Sequence, residues 1–448
     1  MSKLTLISCI VLVTLMASLI VIPAANASVA TWSKTFGGAA NDRAFGLVKT
    51  QSGGYALLGT STSFSSSGLI TAYLVTTDAE GNLIWNQTYS GLGVAFPCCL
   101  IQTSDGGFAF AGYSYDLNFT GSINPWLAKV DPAGNLQWNQ TYSTLGNLIA
   151  NLVQTSDGGY ALVGYTTSSE DYIYSWLAKI DSQGNLEWKK DYGSSGDNEI
   201  FNIIQASDGG YFLGGYTTEI GAGLEDFWLL KTDSAGIAVW NKTYGGAGYD
   251  ILGNFVQASD GGFALFGYSN SSDTNSEDFF IVKTDSSGTL QWSKTYGGSA
   301  VEEVFSGIQA TDGGYVLVGV TTEYGSGHAL MIKTDTNGIL SWNKTYSDSA
   351  ESVLYSIVQA NDGGYAMAGY TNSTSTEQDF WFLKTDENGI FASPTTNPTA
   401  TPTSSAVSPS PTVPEFSITF AVTLIGVCTI TLVIATKRII TRKKYNAV

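Results

Sequence analysis

"KTDSSGTLQWSKTYGG" runs from Lys283 to Gly298, and variants of it recur along the chain: "KIDSQGNLEWKKDYGS" from Lys179, "KTDSAGIAVWNKTYGG" from Lys231 and "KTDTNGILSWNKTYSD" from Lys333. The tryptophan stands at Trp32, Trp85, Trp138, Trp188, Trp240, Trp292 and Trp342, with spacings of 53, 53, 50, 52, 52 and 50 residues. An aspartate precedes it in a turn at Asp78, Asp131, Asp181, Asp233, Asp285 and Asp335, and Asp386 closes the series. Between these lies a second signature, "DGG", with Asp105, Asp157, Asp208, Asp260, Asp312 and Asp362; the first copy has Ser52 in its place. Each signature counts to seven. A fixed period of this length is the mark of a repeat architecture.

One unit contains "LEWKKDY", "EIFNIIQAS", "GGYFLGGYTTE" and "EDFWLLKTD". These are short runs of aromatic and β-branched residues with Gly, Asp, Asn or Ser at the joins, which is the pattern of strands and turns. "DGG" reads as a tight hairpin whose glycines supply positive φ, and "TDSSG" as a turn in which the aspartate bonds back to its own backbone. The repeated aspartates are therefore expected to be turn-formers rather than metal ligands. Four strands in about fifty residues make one propeller blade. The expected fold is all-β: a seven-bladed β-propeller with four-stranded blades, plus a signal peptide and one C-terminal transmembrane helix.

The repeat region begins on a tryptophan strand at Thr31 and ends on an aspartate turn at 386–391. The two deficits are complementary, so the "TWSKTF" strand is expected to close the ring by joining the last blade, which removes open edges. Each unit also has a glycine in its second strand: Gly59, Gly112, Gly164, Gly215, Gly267, Gly319 and Gly369. A repeated strand glycine marks a close approach, and the expected partner is the repeat tryptophan.

The "D-x-x-G-x-x-x-W" turn resembles the tryptophan motif of quinoprotein-type propellers. The string "KTYGGSAVEEVFSGIQATDGGYVLVGVTTE" from Lys294 resembles the seven-bladed β-propeller repeat family of secreted bacterial and archaeal proteins, over roughly residues 31–391. The resemblance implies a fold and leaves function to the site. It carries no quinone-site or metal-site residues with it.

The flanks define further segments. Residues 1–27 have a lysine, an apolar run and a small-residue "ANA" end, and read as a signal peptide. The propeller spans 28–391. Residues 392–413 are Pro/Ser/Thr-rich and read as an extended stalk. Residues 414–436 carry Pro414, Glu415 and Phe416 and an uncharged run long enough to span a bilayer. Residues 437–448 are basic, which places that end in the cytoplasm. The "PEF" tripeptide, the span and the basic tail together resemble the PEF-type sorting signals of archaeal surface proteins, whose tail an archaeosortase removes; a permanent single-span anchor is the simpler reading. Both place the propeller outside the cell. Sequons at Asn86, Asn118, Asn139, Asn241, Asn270, Asn343 and Asn372 suit a secreted glycoprotein, and equally suit exposed strands.

Charge narrows the partners. The chain has 38 acidic and 20 basic residues; setting aside Lys3 and the five tail cations leaves 14 bases against all 38 acids between Ser28 and Glu415. That balance argues against nucleic acid and against docking on an anionic membrane. Cys98 and Cys99 form no disulfide framework and are expected to be small buried hydrophobes.

With the four strands of a blade labelled a to d in chain order and the tryptophan strand as d, the d–a and b–c loops vary between blades and share one face, the usual place for binding on a rigid scaffold. They carry the candidates Asp42, Asp197, Glu199, Asp250, Glu302, Glu303 and Glu323, with Tyr172 and Tyr249. Carboxylates with Tyr and Asn suit Ca²⁺ or sugar hydroxyls, and no other cofactor is implied. The single histidine, His328, forms no zinc pattern, and no nucleophile elbow or phosphate loop is present. The expected function is an extracellular binding, adhesion or envelope-associated module whose partner is a glycan or an envelope protein. The alternatives are a surface glycoside hydrolase or lyase using loop carboxylates, and a purely structural envelope component.

Overall fold

The computed structural model describes residues 30–391, apart from positions 66–67, 90–93, 116–122, 168–171, 272–275, 324–326, 347–350 and 373–376. The signal, stalk, sorting and anchor segments, and Asn118, lie outside the described residues. Among the described residues no helix is long and apolar enough to cross a membrane.

Among the described residues, twenty-eight strands form seven antiparallel sheets of four. The fourth blade shows the plan: inner strand a Asn198–Gln205, b Tyr211–Thr217, c Asp226–Thr232 and outer strand d Ala238–Tyr244. Strands b and c are buried along their whole length, because both of their faces pack on neighbouring blades. This is why they read as continuous apolar runs rather than alternating ones. Strand d is exposed, and Asn86, Asn139, Asn241 and Asn343 all lie exposed on it; Asn270 and Asn372 are half-buried in loops. Core clusters span blade junctions: Val163 and Leu177 of the third blade pack with Ile200, Leu213 and Trp228 of the fourth.

The N-terminal strand closes the ring as expected. Trp32–Phe36 pairs antiparallel with Asp379–Thr385, Trp32 opposite Lys384 and Phe36 opposite Phe380. It is the outer strand of a sheet whose other members are Ser352–Gln359, Tyr365–Thr371 and Asp379–Thr385.

The tryptophans pack elsewhere than expected. Each lies over the turn glycine of the following blade. A Cβ at Gly134 would fall 2.8 Å from Trp85, and Gly81, Gly184, Gly236, Gly288, Gly338 and Gly389 meet Trp32, Trp138, Trp188, Trp240, Trp292 and Trp342 in the same way. These glycines also have positive φ, +75° at Gly288, where a side chain would be strained. Four residues after the tryptophan, a tyrosine completes the joint: the Tyr244 hydroxyl donates to the Gly288 carbonyl at 2.5 Å, and Tyr142 to Gly184 at 2.9 Å. In the closing strand this position is Phe36.

The second-strand glycines have a different cause. A Cβ at Gly215 would run into the Glu199 carbonyl, and at Gly369 into that of Val353. In every blade the inner strand bulges here: Phe45, Cys98, Ala150, Phe201, Gly253, Phe305 and Tyr355 are the unpaired residues. The bulge pushes backbone toward strand b, and only glycine leaves room for it.

Candidate functional site

The seven bulges decide what the central channel contains. A bulge bends its strand and re-aims side chains, and all seven bulged residues line a central cavity of about 480 Å³. Small residues at Cys98, Ala150 and Gly253 leave space between the aromatic ones. The lining varies around the ring: aromatic bulge residues stand together on three adjacent blades, and Phe201 stands alone among the amides opposite. On blades 6, 7 and 1, Phe305 and Tyr355 have ring centroids 4.9 Å apart, and Tyr355 and Phe45 5.6 Å apart.

On blades 3 to 5, the residue after each bulge is an asparagine. The Asn151 amide donates to Asn202 Oδ1 at 3.4 Å, and Asn202 donates in turn to Asn254. Asn254 Nδ2 donates to the Gly307 carbonyl at 3.2 Å. The side-chain carbonyls of Asn151 and Asn202 accept the next backbone N–H, at 2.8 and 2.7 Å, which fixes the amides beside the bulge. This chain of amides crosses four blades.

Among the described residues, Glu303 is the one carboxylate that lines the cavity. Cys98 and Cys99 also line the cavity as unbridged thiols. Burial and the adjacent Cys98 push Cys99 well above the usual thiol range, so it stays protonated and acts as a small apolar group. Tyr165 and Tyr268 contribute from second strands.

The loop candidates do not form one exposed face. Asp42, Glu199, Asp250 and Glu302 are buried, at 0, 2, 0 and 6 % exposure. Asp42, Asp250 and Glu302 open their inner strands and turn into the blade junctions, and Glu199 is the second residue of its strand. Glu199 accepts from the Tyr216 hydroxyl at 2.7 Å, and burial together with Glu199 pushes Tyr216 well up. Asp197 is half-buried and accepts the Ile173 N–H at 3.1 Å. Tyr249 is half-buried, with its N–H on Asn270 Oδ1 at 2.6 Å. Tyr172 and Glu323 are exposed at loops. The glutamate of "TTEIGAG", Glu219, shows what such loop acids can do: it accepts the N–H groups of Ser195 and Gly196 at 2.5 and 3.0 Å. Partial burial would raise Glu219, but these bonds outweigh it and hold it at about 2.

The "DGG" aspartates form turns, as expected, and have a second partner. Asp208 Oδ1 accepts the Gly210 N–H at 2.9 Å. It also pairs at 2.9 Å with Lys231, the lysine of "KTD" on strand c, which is buried. Lys129, Lys179, Lys283, Lys333 and Lys384 pair with Asp105, Asp157, Asp260, Asp312 and Asp362 at 2.7–2.9 Å. In the first blade both partners change together, to Ser52 and Thr76. Paired substitution within the internal repeats was the available signal for this contact.

No family model matches the chain, and no curated protein matches it. Solved structures do. A puromycin hydrolase structure is similar with a TM-score of 0.52 at 11% identity, covering 79% of this chain and 55% of that one. Sqt1 from Chaetomium thermophilum (TM-score 0.47, 11% identity, 80% of this chain and 100% of that one) and the Pan2 WD40 domain of Neurospora crassa (0.47, 10%, 81% and 98%) are also similar. At 11% identity the puromycin hydrolase likeness shows the fold alone, and the seven four-stranded sheets make that fold a seven-bladed β-propeller.

Proposed function

We propose that this protein is a cell-surface binding module that takes a neutral, polyhydroxylated ligand, the end of a glycan, into its central cavity. One observation carries the reading: an arc of fixed amides faces an arc of aromatic rings across about 480 Å³. A sugar ring has the matching chemistry, with hydroxyls for amides and an apolar C–H face for aromatics. Pockets of this size with a few fixed polar groups are the usual form of a small-ligand site. The leader, stalk and apolar span of the sequence support an anchored protein with the propeller outside the cell.

A hydrolase of the common kind would require two carboxyl groups roughly 5–9.5 Å apart. The single lining carboxylate, Glu303, supports binding over that chemistry. Titration of the chain with the sugar that it retains tests the site. Tyr355→Ala and Asn202→Ala should each weaken binding at least about tenfold, a loss of roughly 1.4 kcal/mol. Asp197→Ala, on the loop face, should leave it unchanged. Undiminished binding by both channel variants would contradict the proposal.

A further inference from the structure

The Gly-Gly that ends the stretch Lys283 to Gly298 follows only some of the outer strands. Gly-Gly follows the outer strand at Gly37-Gly38, Gly245-Gly246 and Gly297-Gly298, and elsewhere a serine takes at least one of the two places. These are three of the seven blade junctions. At each, the first residue of strand c in one blade meets the first residue of strand a in the next: Asp379 with Asp42, Asp226 with Asp250, Asp278 with Glu302. At the other four junctions the same two positions hold Thr71 and Ala95, Asn124 and Asn147, Tyr174 and Asn198, and His328 and Ser352. Acid therefore occurs at both positions or at neither, and only beneath Gly-Gly.

The glycine is required by the acids. A Cβ at Gly245 would lie within 3.0 Å of both Asp226 and Asp250. A Cβ at Gly297 would meet Asp278 and Glu302 in the same way, and one at Gly37 would meet Asp379 and Asp42. In each pair one oxygen of either acid therefore crowds the same glycine, and the two oxygens lie close to one another with no room for a side chain between them.

Several of these oxygens are buried without a hydrogen-bond partner: Asp42 Oδ1, Asp226 Oδ1, Asp250 Oδ1 and Glu302 Oε2. The residues are 0, 1, 0 and 6 % exposed. Their other oxygens are tied down. Asp250 Oδ2 accepts the Gly246 N–H at 2.8 Å and the Ser271 hydroxyl at 2.7 Å. Asp42 Oδ2 accepts Gly38 N–H and the Ser63 hydroxyl at the same two distances. Asp226 Oδ2 accepts Ala222 N–H at 2.9 Å and Gly223 N–H at 3.1 Å, and Glu302 Oε1 accepts the Thr321 hydroxyl at 3.1 Å. No ion pair among the described residues reaches Asp42, Asp226, Asp250, Glu302 or Asp379. Buried like charges so placed must share a proton or hold a cation.

We infer that the three Gly-Gly junctions are Ca²⁺ sites, in which one ion bridges Asp226 and Asp250, a second Asp278 and Glu302, and a third Asp379 and Asp42, pinning adjacent blades together on the loop side of the ring. The ligands are all oxygen and the sites are hard, which selects Ca²⁺ over thiophilic metals. Oxygen bonds of about 2.3–2.6 Å let one ion reach both carboxylates of a pair, and water or nearby backbone carbonyls complete its shell. Three sites explain why the acids come in pairs and why the glycines follow them.

The test uses the full chain in detergent, stripped with EGTA, then titrated with CaCl₂ by calorimetry and followed by thermal unfolding. The expected result is about three sites with dissociation constants on the order of 10⁻⁴–10⁻³ M, as in extracellular modules, and a Tm raised by at least about 5 °C at saturating Ca²⁺. Asp250→Asn, Glu302→Gln and Asp42→Asn should each remove one site, and the triple variant should lose the Tm rise. Two results would overturn the inference: Ca²⁺ shifting neither heat nor Tm, with Asp250→Asn melting at or above the wild type in EGTA, which is the signature of a shared proton; or Ca²⁺ binding that persists unchanged in the triple variant.

Discussion

At the scale of single residues, the repeated aspartates and lysines act as units. Lys283 is 4 % exposed and has three acceptors: Asp260 at 2.7 Å, the Thr284 carbonyl at 2.7 Å and Gln291 at 3.2 Å. Removing the carboxylate leaves a buried ammonium half-satisfied. A fully buried pair broken this way costs about 3–5 kcal/mol; Asp260 is itself half-exposed, so solvent screening reduces the expected cost of Asp260→Asn to about 1–2 kcal/mol. The double change Asp260→Ser with Lys283→Thr copies the first blade and should cost less than Asp260→Asn alone, measured by urea unfolding. The same pairs set the acid limit. The Thr155 hydroxyl, opposed by burial and reinforced by Lys179, holds Asp157 at about 2; at Asp105 burial is outweighed by Thr103 and Lys129, with the same result. A carboxylate depressed in the folded state stabilises above its unfolded value near 4 and loses that contribution as pH falls through the folded one. Stability should thus decline between about pH 4 and pH 2, and more shallowly in the Asp157→Asn variant. The turn role of these aspartates was legible from "DGG" alone. The lysines were not singled out, because a lysine in a strand reads as surface until its partner is known.

At the scale of elements, strands and turns were legible because their signals are local. "TDxxG" announces a turn whose aspartate accepts its own backbone N–H groups, as Asp131 does from Ala133 and Asn135 at 2.9 and 2.8 Å. The bulge was not legible. It is a mismatch of register between two strands, and no residue type marks it: Phe, Cys, Ala, Gly and Tyr all occupy it. Its trace is the opposing glycine, which by sequence alone is equally explained by a packed tryptophan. Gly215→Ala should destabilise the chain by about 2 kcal/mol or more, as overpacking against backbone does. An unchanged melting temperature would refute the bulge as the reason for this glycine. The buried acids at the start of the inner strands read as loop residues in the sequence, since a one-residue difference in where a strand begins decides whether a side chain faces solvent or a blade junction.

At the scale of the whole molecule, the ring is held shut by one non-local sheet. Trp32 packs on Phe382 with centroids 4.6 Å apart and covers Gly81, so the first strand ties the last blade to the first. Deleting residues 31–36 should lower the melting temperature sharply by exposing a hydrophobic edge on Asp379–Thr385. Closure could be read from the complementary ends of the repeat. The channel could not, because its two sides arise from residues one repeat apart that share no contiguous motif. The proposed function stands at this scale, in the amide and aromatic residues that only a closed ring brings to one channel. The most direct test is a glycan-array screen of the full chain, with retained and shortened sugars read together and repeated with Tyr355→Ala. Retention of intact sugars by the wild type and its loss in the variant is the predicted result. Shortened sugars, or retention that survives Tyr355→Ala, would contradict a binding role for the channel.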